Sequence, residues 1–348
     1  MNSNPFTIIF GMKPQSIIPR NEETRIITEA FESERPISMG YVITGVRGCG
    51  KTVLMTSIQN YFAEKKDWYV LRLNPDIDLY SSAISQLSEF ISLKDEKITG
   101  INASFAGFGG GIILRSLSDN ETLLRRMLKE AAKRKKRVLI AIDEASNTKN
   151  IKVFSHSYQA FIGENLPVFL LMTSLPENFS SLSNSKNGTF IRRLPKVKLA
   201  GLSNLMIEEK YREILSITQD KAITLSKIVM GYPYAFQLLG SLLWESKKDT
   251  ADEGILGSLD TLLFEGSYQA IWNHLTEKEK LIMQAIAHSS DMSVKDIRNK
   301  TGMEQNQFSP YREKLRENGL INTETYGKLS FSLPRFREFV IHIEQYMI

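Results

Sequence analysis

Cysteine is nearly absent from this chain of 348 residues: Cys49 is the only one. No disulfide can form within the chain, and no cysteine-based zinc site can be built. A reducing, cytoplasmic setting is the simplest expectation. Long apolar runs are missing too, and none approaches the ~20 residues that a membrane-spanning helix needs. The opening MNSNPFTIIFGMK has no basic segment leading into an apolar one, so it does not read as a secretory signal. No membrane partner is expected. Neither sign of charge dominates: 44 Lys and Arg stand against 39 Asp and Glu, a net charge of +5. That is too mild to establish a nucleic-acid partner by itself. With 42% hydrophobic and 24% charged residues, the chain is neither mainly disordered nor fibrous. At roughly 100–200 residues per domain, two or three domains are expected. Their cores should need no disulfide or metal.

What is present is sharper. Gly45-Val46-Arg47-Gly48-Cys49-Gly50-Lys51-Thr52 fits G-x-x-x-x-G-K-[ST], the Walker A phosphate-binding loop. A β-favouring run, Tyr41-Val-Ile-Thr44, precedes it. Apolar residues at helical spacing follow (Val53, Leu54, Ile58, Phe62). Strand, glycine loop and helix are the arrangement the chemistry needs. Glycines let main-chain N–H groups curl round phosphates, and the helix N-terminus adds the positive end of its dipole. Lys51 would reach the β- and γ-phosphates and the Thr52 hydroxyl would ligate Mg²⁺. Residues 45–53 are therefore the candidate nucleotide cradle, with ATP or ADP as ligand. Within it Cys49 reads as a small filler rather than a redox switch.

The loop needs an acid on a nearby strand. Arg137-Val-Leu-Ile-Ala-Ile-Asp143-Glu144 supplies a pair after five apolar residues. Such a run suits a parallel strand buried on both faces, with carboxylates at the strand end where ligands bind in open α/β sheets. Asp143 would hold Mg²⁺, and Glu144 would orient and polarise water. The next strand candidate, 166–174, ends in Thr173 and Ser174. Either hydroxyl could face the γ-phosphate or merely cap a turn. Farther on, Arg192 and Arg193 could act on a phosphate in cis or on a neighbouring subunit, which makes a homo-oligomer one expected partner.

Residues 1–35 form an approach segment with a helix at Glu22–Phe31. Strands and helices then alternate to Leu199, which argues for a parallel α/β sheet. Thr99–Ile113, with Gly107, Gly109, Gly110 and Gly111 but no Lys, reads as a loop or hairpin rather than a second nucleotide site. A helix at Asn120–Lys136 ends in Lys129, Lys133, Arg134, Lys135, Lys136 and Arg137. These read as cations favourable to a helix C-terminus rather than as a nucleic-acid patch. Residues 201–265 read as all-helical, with Gly231 closing one helix and Pro233 opening the next.

The last 80 or so residues change character. Thr276-Glu-Lys-Glu279 is a capping box, and Ser293 opens a second helix. A third stops at Gly319 as a C′ glycine, with Pro310 placed in its first turn and Asn306 or Ser309 as its cap. Leu329, Phe331 and Leu333 then alternate in a hairpin pattern. Three short helices and a hairpin make a winged helix-turn-helix. Its third helix would present Gln305, Asn306, Gln307, Tyr311, Arg312 and Arg316, types suited to DNA. The even charge of residues 267–348 weakens that footprint, so DNA and protein stay open as alternative partners.

With these residues in hand the chain resembles bacterial ATP-binding proteins of the AAA+ superfamily, near the archaeal origin-recognition ATPases and the signalling STAND group. Asn4-Pro-Phe6, Phe10-Gly11, Pro14 and Arg20 look like the segment that lines the adenine pocket. Gly45–Thr52 and Ile140–Glu144 match Walker A and Walker B. Thr173 stands where many members carry Asn. Thr189–Arg193 looks like the arginine-bearing segment. Gly231-Tyr-Pro233 is similar to the G-x-P element of the lid, with no basic residue beside it. The resemblance implies a P-loop AAA+ parallel-sheet core (1–200), a helical lid (201–265) and a C-terminal winged helix-turn-helix domain (266–348). It also implies an Mg²⁺-dependent ATPase whose nucleotide state repositions the winged helix for DNA or protein. The alternatives are a STAND-like switch with little turnover, and a DNA-binding replication, transposition or regulatory helper.

Overall fold

A computed structural model describes residues 3–8, 15–91, 117–185 and 189–346. The glycine-rich interval expected at 99–113, and Phe10, Gly11 and Pro14, lie outside them. The chain divides into two compact units: residues 20–44 with 54–198, and residues 1–19 with 45–53 and 199–348.

The first unit is built on a five-stranded sheet. Its elements are α1 (Asn21–Glu32), β1 (Gly40–Thr44), the body of α2 (Lys51–Ala63), β2 (Trp68–Leu73), α3 (Leu79–Ser88) and α4 (Leu117–Lys133). Then come β3 (Arg137–Ile142), α5 (Lys149–Gly163), β4 (Val168–Ser174), α6 (Pro176–Ser183), α7 (Thr189–Arg193) and β5 (Lys196–Lys198). The strand order is β2-β3-β4-β1-β5, and every pairing is parallel. The expected α/β class is therefore what the chain adopts. All seven residues of β4 are buried, and in β3 all but Arg137. A strand covered on both faces must be apolar on both, which is why these two runs do not alternate. Aromatic rings close one flank: Phe62 lies 4.2 Å from Trp68, and Trp68 4.9 Å from Phe169.

β2 is an edge strand, with main-chain groups open to mispairing. Gln86 of α3 covers them. Its side-chain oxygen accepts from the Arg72 N–H at 2.8 Å and its amide donates to the Arg72 carbonyl at 2.7 Å, as a neighbouring strand would. The basic end of α4 is also occupied. Lys129 pairs with Glu164, Arg134 with Glu130, and Arg137 donates to the carbonyls of Phe31 and Glu32.

The second unit is helical: α8 (Asn204–Leu215), α9 (Gln219–Val229), α10 (Pro233–Ser246), α11 (Glu253–Leu263), a π-helical turn (Phe264–Tyr268) and α12 (Gln269–His274). There follow α13 (Glu277–Ala287), α14 (Val294–Thr301), α15 (Gln305–Glu317), the antiparallel ribbon β6 (Ile321–Asn322) and β7 (Ser330–Phe331), and α16 (Phe336–Tyr346). One apolar core runs through all of it. The segment near the start of the chain is anchored here. Phe6 is buried so close to Gly240 that a Cβ there would fall 2.3 Å from its ring. Asn4 donates to Ser241 and Glu245 of α10.

The capping box forms as expected. Thr276 accepts from the Glu279 N–H, and Glu279 accepts from the Thr276 N–H at 2.8 Å. Ser293 caps α14, and Gly319 adopts φ +73° after α15. One expectation is corrected. Pro310 lies inside α15, not in its first turn, and neither Asn306 nor Ser309 is the cap. The helix starts earlier because Glu304, in an extended conformation, takes the N-cap position. Pro310, at an exposed position, then leaves one intrahelical hydrogen bond unmade. The helix α16 follows the ribbon and was not expected. It buries Phe336, Phe339, Val340 and Ile343 at helical spacing.

Candidate functional site

β1 ends at Thr44, and the glycine loop begins with the next residue. Gly48 and Gly50 take φ +76° and +92°, conformations that side chains other than glycine rarely adopt. A Cβ at Gly50 would meet nothing within 4 Å, so the space beside it is open. α2 starts at Lys51, which leaves its first N–H groups outside the intrahelical pattern. The Lys51 ammonium donates to the Gly45 and Val46 carbonyls, 2.9 Å each, and so lies along the loop. Thr52 and Val53 are half-buried on the first turn of α2. Cys49 is buried, and a Cβ on Gly45 would fall 2.6 Å from its sulfur. It fills space, as its small size suggested. Arg47 is exposed.

On the opposite side of Gly48 stands a residue that pattern reading passed over. The Tyr232 hydroxyl donates to the Arg47 carbonyl at 2.7 Å. Its ring is buried, and burial pushes the phenol well above its ordinary pKa, so it remains a proton donor throughout the working range. Tyr232 lies between Gly231, at φ +74°, and Pro233, the first residue of α10. A side chain on Gly231 would approach the Leu202 carbonyl to 2.8 Å, which explains the glycine. The only signal for Tyr232 was its place within the Gly-Tyr-Pro element.

The acids sit at the carboxyl edge of the sheet. Ile142, the last residue of β3, pairs with Met172, and Thr44 pairs with Ser174. The two acids and the residue that launches the loop therefore leave the same edge. Thr173 is fully buried. Its hydroxyl donates to Asp143 Oδ1 and accepts from the Glu144 N–H at 2.9 Å. The Ala145 N–H donates to the Thr173 carbonyl at 2.8 Å, and the Ser174 hydroxyl to the Ala145 carbonyl at 2.6 Å. Within this corner Glu144 is held at φ +53°, uncommon for glutamate, with its side chain exposed. Backbone strain of this kind gathers where surrounding structure over-determines a conformation. Arg192 and Arg193 end α7, both exposed, with the Arg192 guanidinium donating twice to the Ser183 carbonyl.

On α15, Gln307 is exposed, Tyr311 and Arg312 are half-buried, and Lys278 lies 5.6 Å from the Tyr311 ring centre. Arg316 is exposed but paired with Glu313 on the same helix. Among the described residues no three His, Cys, Asp or Glu side chains form a ready metal cluster. No helix among them is long and apolar enough to cross a membrane.

Solved structures share this architecture. The Walker-type ATPase of Pyrococcus abyssi superposes with a TM-score of 0.64 at 16% identity, covering 93% of this chain and 96% of its own. The ORC2 protein of Aeropyrum pernix, solved as ADPNP–ADP complexes, gives 0.60 at 13% identity, covering 98% and 97%. The chain has the fold of an AAA+ P-loop ATPase. A family model described as a domain of unknown function (DUF8462) matches residues 265–340, from the π-helical turn to the middle of α16. Comparison with curated proteins finds no match.

Proposed function

We propose that the chain is an Mg²⁺-dependent ATPase whose nucleotide state repositions a C-terminal winged helix. The observation that carries the proposal is the loop itself: two left-handed glycines, open space beside Gly50, and Lys51–Thr52 opening α2. Such a nest of N–H groups, with a helix dipole behind it, suits a polyphosphate. Main-chain groups of 45–53 and the Lys51 ammonium bind phosphate oxygens, and Pro233 borders the base. When bound, the metal neutralises charge developing on the phosphates. Thr52 and Asp143 would hold it, a hydroxyl and a carboxylate being oxygen donors that suit a hard cation. Glu144 takes the proton of the attacking water. Thr173 has given its only proton to Asp143, so its part is to position the acid pair rather than to contact the γ-phosphate. Arg192 or Arg193 supplies a cation in a homo-oligomer.

Residues 277–331 support the winged-helix assignment through three helices and a two-stranded ribbon. Arg316 is exposed and paired with Glu313 on the same helix, an ion pair weak enough for a phosphate to displace, so DNA and protein both stay open as the partner. Binding of a fluorescent ATP analogue should be lost in Lys51→Ala. Phosphate release should be lost in Glu144→Gln while that binding persists. Analogue affinity unchanged by Lys51→Ala defeats the proposal. Strong binding with no phosphate release in the wild type would instead favour the STAND-like switch. Salt-insensitive DNA association, or association unaffected by Arg312→Ala with Arg316→Ala, removes DNA as the partner.

A further inference from the structure

Tyr232 and Tyr234 both bridge the phosphate loop to the π-helical turn. A Cβ on Gly48 would fall 2.3 Å from the Tyr232 hydroxyl and 3.0 Å from the Tyr234 Cβ. A Cβ on Gly266 would fall 2.2 Å from the Tyr234 hydroxyl. The Tyr232 hydroxyl also lies 2.9 Å from the fully buried Ser267 hydroxyl. Since the single phenol proton goes to Arg47, Ser267 is the donor to the phenol oxygen. The next residue, Tyr268, stacks on Tyr232 with ring centres 6.3 Å apart and donates to the Pro334 carbonyl at 2.5 Å. Arg335 follows at φ +58° and clasps both oxygens of Asp260 at 2.7 and 2.6 Å. From there the chain enters α16. The contacts form one unbroken path from the phosphate loop to the last helix. A π-turn lies in its middle, a feature that often marks functional sites.

The link at the loop end has a direct geometric consequence. In a trans peptide the C=O and N–H point in opposite directions. Fixing the Arg47 carbonyl on Tyr232 therefore turns the Gly48 N–H away from Tyr232. We propose that Tyr232 is a positioning residue: it holds the Arg47–Gly48 peptide in its phosphate-binding orientation and, through Ser267 and Tyr268, couples that orientation to the seating of α16. This inference rests on the nucleotide reading of residues 45–53. The coupling is reciprocal, as any linkage between two sites must be. Nucleotide on the loop tightens α16, and loosening α16 weakens nucleotide binding.

The test uses the full chain and ADP. Affinity is measured by titration, and the ADP-dependent slowing of hydrogen exchange is read at residues 336–346. The variants are Tyr232→Phe, Ser267→Ala and Lys51→Ala. Tyr232→Phe keeps the ring and removes only the hydroxyl. It should weaken ADP about fivefold and abolish most of the ADP-dependent slowing in α16. Ser267→Ala, which does not touch the loop, should act in the same direction, so the test survives if one variant folds poorly. A merely structural role would lower the melting temperature equally with and without ADP and leave the slowing intact. Retention of the slowing in both Tyr232→Phe and Ser267→Ala overturns the coupling, whatever their affinities, while Lys51-dependent binding leaves the nucleotide reading standing. Wild-type protein with no Lys51-dependent ADP binding overturns both.

Discussion

Replacing Thr173 with valine tests whether the acid corner is built as described. Valine nearly matches threonine in shape, so no cavity opens, and the change falls on two hydrogen bonds. One is the donation from the Thr173 hydroxyl to Asp143, a bond to a charged group, worth about 1.5–3 kcal/mol. The other is acceptance from the Glu144 N–H at 2.9 Å. That N–H keeps a second acceptor, Asp143 Oδ1 at 3.1 Å, so its loss adds less. Against this, Glu144 is released from φ +53°, and relief of a left-handed conformation returns about 1 kcal/mol. The net loss is about 2 kcal/mol, or about 4–8 °C in melting temperature at 2–4 °C per kcal/mol for a domain of this size. Catalysis should suffer more than affinity. On the proposed reading Asp143 and Glu144 would act on the metal and the water, whereas the main-chain nest would bind phosphate without them. Thermal melting and phosphate release, measured on wild type, Thr173→Val and Thr173→Ser, provide the assay. Serine restores both bonds and should recover most of the stability and turnover. A valine variant that melts and turns over like wild type would show that Thr173 does not hold the corner.

Three further expectations follow from other parts of the chain. Glu279 is buried in the α13 capping box, with Lys314 2.7 Å from its carboxylate. Burial alone would raise its pKa, but Lys314 and the Thr276 bonds together hold it below the ordinary 4.5. It therefore stabilises the fold fully above that value, and the stabilisation is lost as pH falls through the lowered pKa. Glu279→Gln should flatten the acid limb of a stability-against-pH curve, and an unchanged limb refutes the assignment. Gly48→Ala should destabilise more than Gly50→Ala in thermal melts, by about 1–2 kcal/mol. Both incur positive-φ strain, but only the first drives a methyl into Tyr232; equal losses would contradict that contact. Asp260→Asn should cost about 1–2 kcal/mol, because it takes the anion from the Arg335 fork at 2.7 and 2.6 Å. Salt-independent stability of the wild type with no loss in the variant would show the clasp to be idle.

Where the sequence was legible, the deciding physics was local. Helix α2 could be placed because glycines, Lys51 and Thr52 sit next to one another in the chain. β3 and β4 could be placed because burial on both faces forces unbroken apolar runs. The α13 cap spans only the four residues from Thr276 to Glu279. Pro310 was misplaced although its rule is local. Proline is tolerated in a first turn, but here Glu304 takes an earlier N-cap position, which leaves Pro310 inside the helix. The pattern of α16 is present in Phe336, Phe339, Val340 and Ile343, the buried stripe of a helix of ordinary amphipathicity.

The groups that shape the chemistry belong to another class. Nothing in the neighbourhood of Glu144 asks for a left-handed backbone, and glutamate's own preference is against it. Its conformation depends on a hydroxyl 29 residues away in the chain. The Arg47 peptide depends on a phenol 185 residues away. Local preference can say that a glycine loop will bend, but not which way one of its peptides will face. That direction is set by which distant donor finds the carbonyl, and a peptide facing the wrong way offers oxygen rather than N–H to a phosphate. On the proposed reading the motif specifies a loop able to bind phosphate, while the bonds from Tyr232 and Thr173 would decide whether its amides and the acids are turned to do so. A chain with the same motif but phenylalanine at 232 and valine at 173 would read identically by pattern, and should bind more weakly and turn over more slowly.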